Sequence, residues 1–177
     1  MVDFRIEDCT HTIDEETRGL IAELILSWAR YDSLVTHWTF RVFGMGPDEG
    51  PIILGAMDTK TKLGRIKSLY AHFSKKRSAE NVATLLKVHG QHVDVRNAIC
   101  HKACAGHHRR DPDRIIFANP KAFPQQPGQM MIEMYHIDQF RAAIAFAKKA
   151  ADEISKIVDA IVGPPEESPE RSPAEGE

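Results

Sequence analysis

Apolar residues recur at alternating spacings of three and four along most of this chain. Ile21, Leu24, Trp28, Tyr31, Val35, Trp38 and Val42 form an unbroken seam of this kind, which predicts one long helix from Asp14 to Phe43. Asp14, Glu15 and Glu16 suit the positive end of its dipole. The two tryptophans on the seam read as core or interface rather than as a ligand box. Gly44, Gly46, Pro47 and Gly50 punctuate a turn, and Pro51 to Met57 reads as a two-turn helix. Asp58 is an N-cap for a helix over Thr59 to Phe73, with Leu63, Ile66, Tyr70 and Phe73 on its seam. Ser78 then caps a long helix over Ala79 to Gly106, in which Gly90 marks a kink or a close helix crossing.

After that helix the period changes. Arg109-Arg110-Asp111-Pro112-Asp113 is a charged turn, and Ile115 to Ala118 and Met130 to Tyr135 read as two strands joined by a Pro-, Gln- and Gly-rich loop. Asp138 caps a last helix whose seam runs through Phe140, Ile144, Ala147, Ala151, Ile154, Val158 and Ile161. Residues 1–13 read as a short, loosely attached lead-in. From Gly163 the composition shifts to Pro, Glu and Ser, which predicts a disordered acidic tail over 163–177. The expected fold is all-α: one domain over 1–162, an antiparallel helical bundle with a small β-hairpin inserted before its last helix.

Composition adds little to that picture but excludes several alternatives. At 177 residues, 42% hydrophobic and 27% charged, the chain can bury a core without staples. No apolar stretch of about 18 residues is present to cross a membrane, and the N-terminus lacks a signal-peptide pattern. An odd count of three cysteines is not a disulfide framework, so a reduced, cytoplasmic protein is expected. Net charge is −2, yet it is uneven. Residues 60–77 carry Lys60, Lys62, Arg65, Lys67, Lys75, Lys76 and Arg77 without an acid among them. Such a run is either a solvated lysine face or a patch that holds a phosphate backbone. Glycine-rich phosphate loops, nucleophile elbows and paired carboxylates are absent from the sequence.

One stretch resists assignment to core, cap or turn: Val93 to His108, V-D-V-R-N-A-I-C-H-K-A-C-A-G-H-H. At about 100° per residue, Val82, Leu86, His89, Val93, Arg96 and Cys100 share a stripe, so Arg96 extends an apolar seam. Asn97 and His101 share a neighbouring face, continued by Cys104 and His108. A guanidinium aimed into a helical core is costly unless something anionic meets it, which marks the stretch as a candidate site.

The string R-N-A-I-C-H, Arg96 to His101, resembles the signature of the HEPN superfamily: an Arg, often a polar residue next, then a His after four to six intervening positions on a bundle helix. The resemblance spans roughly residues 14–162, by architecture more than by residue identity. It implies a small, usually dimeric all-α domain and, for many members, a metal-independent ribonuclease of toxin–antitoxin or phage-defence systems. Its expected action is attack of an RNA 2′-hydroxyl on the adjacent phosphate, leaving 2′,3′-cyclic phosphate ends without a cofactor. Arg96 is the expected electrostatic stabiliser, His101 the acid/base and Asn97 the support. Lys102, Arg109 and Arg110, which follow directly, are expected to bind RNA. A common family variant has Tyr two positions after the His. Here that position is Ala103, so regulation through such a tyrosine is not available.

Arg96 and His101 are five apart, about 140° around an ideal helix, so one straight helix does not focus both on a single phosphate. Two motif helices paired across a twofold axis would. A second copy with the site at the interface is therefore the expected partner, and the resemblance implies RNA and a cognate antitoxin as further ones. Three other readings stand beside this one. Arg96 and His101 could form an interhelical hydrogen-bonded pair, or His101 could lie on the surface near a turn. The fold could serve as a dimerising or RNA-binding module without turnover. Cys100, His101, Cys104, His107 and His108 could bind metal, although His101 and His108 would be about 10 Å apart along a helix, which favours adventitious binding over a structural site.

Overall fold

The computed structural model describes residues 8–119 and 131–162. The expected tail and most of the loop before residue 131 lie outside the described residues. Helices dominate, in the order α1 (Glu15–Phe43), α2 (Glu49–Leu54), α3 (Thr59–His72) and α4 (Lys76–His101), then strands β1 (Ala103–His108), β2 (Asp111–Asn119) and β3 (Met131–His136), and finally α5 (Ile137–Val162). No helix among the described residues is long and apolar enough to cross a membrane.

The α1 seam is the core. Leu24, Trp28, Tyr31, Val35 and Trp38 are all buried. Across from them α5 presents Phe140, Ile144, Ala147, Ala151 and Ile154, also buried, and its alanines let the two helices approach closely. Asp14 starts α1 by accepting the Thr17 amide at 2.7 Å, a bond that holds its carboxyl below the usual carboxylate range. Gly44, at φ 65°, ends the helix in the left-handed region. Asp58 caps α3 in the same way as Asp14, accepting from the Thr61 amide at 2.6 Å.

Helix directions depart from the expected antiparallel pattern. Ion pairs join Glu16 to Arg141, Glu23 to Lys148 and Arg30 to Asp152. Both numbers rise together, so α1 and α5 run in the same direction. α4 runs against α5: His92 stacks on Phe146 at 5.3 Å, while Asn81 and Leu85 face Ala150 and Ile154 across a groove. The departure is set before the sheet: α3 also runs with α1, since its Thr59, Lys62 and Tyr70 meet Asp32, Thr36 and Trp38 in turn. α4 then returns toward the start of α1, and α5 sets out from that end.

The sheet also has one strand more than the pattern predicts. β1, β2 and β3 are antiparallel neighbours in that order. β2 and β3 are the two expected strands, and β1 occupies residues expected to finish the motif helix. That helix stops at His101, and Lys102 is already extended at φ −124°, ψ 156°. Helix propensity in A-C-A is outweighed here by pairing with β2, from Ala103 opposite Ala118 to His108 opposite Asp111. Ile115 and Phe117 of β2 join the helical core, where Phe117 stacks on Phe140 at 6.3 Å.

The described part of the N-terminal lead-in, residues 8–13, is docked rather than loose. Cys9 is buried and forms a bridge with His108. The Thr10 and His11 amides donate to the His107 and Ala105 carbonyls at 3.0 and 3.1 Å. Gly106 makes this possible. It sits at φ +97° in an irregular step of β1, and a Cβ there would lie 2.8 Å from the backbone nitrogens of His11 and Thr12.

Three smaller expectations also change. α4 begins at Lys76, before Ser78. α5 begins at Ile137, with Asp138 inside its first turn. Gly90 faces open space, with nothing within 4 Å of a built Cβ, so it marks no close crossing.

Candidate functional site

Arg96 lies one and a half turns before the end of α4, and its partner comes from α1. Its Nη2 is 3.7 Å from Oδ2 of Asp32, with both side chains about a third exposed, at 32% and 31%. Its Nη1 donates to Oδ1 of the adjacent Asn97 at 3.2 Å. Asp32 is itself fixed, since its Oδ1 accepts a 2.6 Å hydrogen bond from the Thr59 hydroxyl at the start of α3. Three helices thus meet at one guanidinium. The anion that the sequence demanded for Arg96 is internal, and Arg96 sits at the rim of the core rather than within it. A guanidinium has five N–H donors; Asn97 takes one and Asp32 faces another, so donors remain to meet a phosphate oxygen.

Beneath this rim lies a buried aromatic group. His89, 3% exposed, shares a 3.2 Å hydrogen bond between its Nδ1 and the Tyr31 hydroxyl. Burial pushes the His89 imidazole below its ordinary pKa, against a smaller opposing pull from Asp32 and Asp58. Burial also raises the Tyr31 phenol. His89 therefore stays neutral under the site and is a packing residue.

His101 is the last residue of α4 and is exposed. No hydrogen bond or ion pair joins it to Arg96 or Asn97 among the described residues. Asn97 gives its oxygen to Arg96, not to the imidazole. The structure thus brings together Arg96, Asn97 and Asp32, and leaves His101 on the surface next to them in sequence.

The residues that follow have different surroundings. Lys102, with a side chain 15% exposed, is ion-paired to Glu133 of β3, and the Tyr135 hydroxyl donates to the same carboxylate at 2.6 Å. These two bonds hold Glu133 below the usual range for its carboxyl. Lys102 therefore ties the end of α4 to the sheet rather than standing free for phosphate. Arg109 leans on the lead-in, its Nε donating to the Cys9 carbonyl at 3.0 Å. Arg110 is exposed in the turn between β1 and β2.

No known family model, curated protein or solved structure matches this chain. The geometry stands by itself.

The cysteine and histidine cluster is dispersed by the same helix end. His107 is buried, with Nδ1 2.6 Å from the Pro112 carbonyl and Nε2 3.3 Å from the Thr17 hydroxyl. Both of its nitrogens are occupied in joining β1, β2 and the start of α1. Cys100 and Cys104 are exposed, on a helix and a strand respectively. Among the described residues no three Cys, His, Asp or Glu side chains converge.

Sequence reasoning missed Asp32, Thr59 and Glu133. Asp32 had a signal: it directly follows Tyr31 of the α1 seam, so it borders the core, yet nothing local says which helix it faces. Glu133 and Thr59 had none, because their roles arise only from pairing across elements.

Proposed function

We propose that this chain is a HEPN-type, metal-independent endoribonuclease of the toxin or defence kind, working as a homodimer with a composite site. The observation that carries the reading is Arg96. It is a guanidinium held from two sides by Asp32 and Asn97 yet a third exposed, on the same helix end as an exposed histidine. Preorganised positive charge of this kind stabilises charge that develops on phosphoryl oxygens. In the reaction the RNA 2′-oxygen loses its proton and bonds to phosphorus. The bond from phosphorus to the 5′-oxygen breaks, and a proton is delivered to that leaving oxygen. Arg96 faces the phosphoryl oxygens, and His101 carries a proton on one side of the exchange. Because His101 diverges from Arg96 on its own helix, the partner subunit's His101 completes the site. The bundle arrangement of the HEPN families and its dimeric state belong to the same proposal.

The test is cleavage of end-labelled RNA by purified protein in EDTA, with analysis of the product ends. Wild type should give 2′,3′-cyclic phosphates, while His101→Ala and Arg96→Ala should lose cleavage without losing fold or dimer. A monomeric wild type, or cleavage unchanged in His101→Ala, sinks the proposal.

A second reading has its own support. Arg96 is already neutralised by Asp32, and Asn97 serves Arg96 rather than His101, as expected of a non-catalytic RNA-binding or dimerisation module. Binding of RNA that survives both substitutions, with no cleavage in any variant, selects it.

A further inference from the structure

The ribonuclease reading leaves unused the basic run at 60–77. On α3, Thr61, Gly64, Arg65, Ser68 and His72 fall on one face and line a shallow depression of about 680 Å³. Its other wall is Phe43, at the end of α1 and 41% exposed. At its C-terminal end stands Phe73, which the apolar spacing places on the core seam. The structure puts it at 62% exposure, edge-on to His72 at 5.2 Å between ring centroids. Helix α3 ends at His72, and the seam ends with it.

Of the cations in the run, Arg65 lines the depression itself. Lys60, Arg65, Lys67, Lys76 and Arg77 are all exposed, and among the described residues none of them enters an ion pair. Of the remaining two, Lys62 bonds to the Thr36 hydroxyl at 2.9 Å and Lys75 lies over the Tyr70 ring. No acidic residue lines the depression. Unpaired cations seek phosphate, and exposed rings seek bases. Together they are the chemistry of single-strand recognition, in which a basic track follows the backbone and aromatic faces stack the bases.

We infer that this face of α3, with Phe43 and Phe73, is a docking surface for single-stranded RNA, distinct from the Arg96 site. The choice of RNA over DNA rests on the ribonuclease reading. A strand shared by both places wraps round α3, because Thr59, which bonds to Asp32, lies on the opposite side of the helix from the residues that line the depression; over 14 residues the helix spans about 20 Å.

The experiment uses the His101→Ala full chain, so that bound RNA is not consumed. A short fluorescein-labelled oligouridylate is titrated, with duplex RNA and phosphatidylserine-containing vesicles as parallel arms. Phe73→Ala should weaken the single strand by about fivefold to a hundredfold with an unchanged salt dependence. Arg65→Gln should lower the slope of log affinity against log salt by about 0.7, the share of one phosphate contact. Gly64→Glu should abolish binding, because it places a carboxylate in the depression where a Cβ meets nothing within 4 Å. All three positions are solvent-facing or open, so circular dichroism should stay unchanged. Affinity indifferent to all three substitutions, or vesicles bound in preference to the oligonucleotide, overturns the inference. Cleavage by wild type that is equally indifferent overturns it while leaving the Arg96 site standing. Loss of cleavage chemistry in every assay, with binding still sensitive to Phe73 and Arg65, overturns the catalytic reading and keeps this one.

Discussion

The link between Asp32 and Arg96 can be measured directly. At 3.7 Å, a pair of unit charges interacts by about 4.5 kcal/mol at an effective dielectric constant of 20, and by about 1 kcal/mol in bulk water. Both side chains are about a third exposed, and the contact is too long for a strong hydrogen bond, so screening brings the value toward the lower figure. A coupling of about 1 kcal/mol is expected. The perturbations are Asp32→Asn, which keeps an oxygen acceptor for Thr59, and Arg96→Met, which keeps the apolar stem. Urea unfolding of wild type, both single variants and the double variant closes the cycle. Arg96→Met alone should destabilise, because it leaves Asp32 at the core rim with only Thr59. The coupling should shrink in high salt. A cycle that closes to within about 0.3 kcal/mol of additivity, or an Arg96→Met variant more stable than wild type, would refute the claim that Asp32 positions the guanidinium.

Three further outcomes follow from the packing. Gly90→Ala should raise stability by about 0.5–1 kcal/mol in urea unfolding, since the position is helical, exposed and open around the new Cβ. Gly106→Ala should lower it by about 2 kcal/mol or more and release the lead-in to proteolysis, because the new methyl meets the His11 and Thr12 backbone and φ is +97°. The pH dependence has two windows. His89 and His92 have imidazoles pushed down by burial, so the unfolded chain binds protons first as pH falls below about 6.5. Their contribution is present above that value and lost below it. Asp14, Asp58 and Glu133 are also lowered, and their contribution is lost only in the ordinary carboxylate range near pH 4 and below. Thermal melts should therefore fall between pH 7 and 5, and His89→Gln should flatten that slope; a slope unchanged in the variant counts against a neutral buried His89.

Much of the fold was legible from the chain alone. The seams of α1 and α5 appear because apolar side chains at helical spacing have one place to go, and Asp14 and Asp58 start helices by purely local bonds to amides three residues on. The strand character of β2 and β3 was written in the same way, in runs of β-branched and aromatic residues. The candidate residues Arg96, Asn97 and His101 were visible too, because a charge on an apolar stripe is a local contradiction. Tertiary structure decided the rest. Local propensity in A-C-A favours helix, and only the free hydrogen-bonding edge of β2 turns it into β1; with that strand the cysteine and histidine cluster scatters. The parallel course of α1 and α5 depends on α3 running with α1 rather than against it, which no seam records. Asp32 answers Arg96 from 64 positions away, a distance over which sequence carries no phase. Phe73 is apolar and correctly spaced, yet α3 ends one residue before it, and the ring that spacing assigns to the core faces solvent.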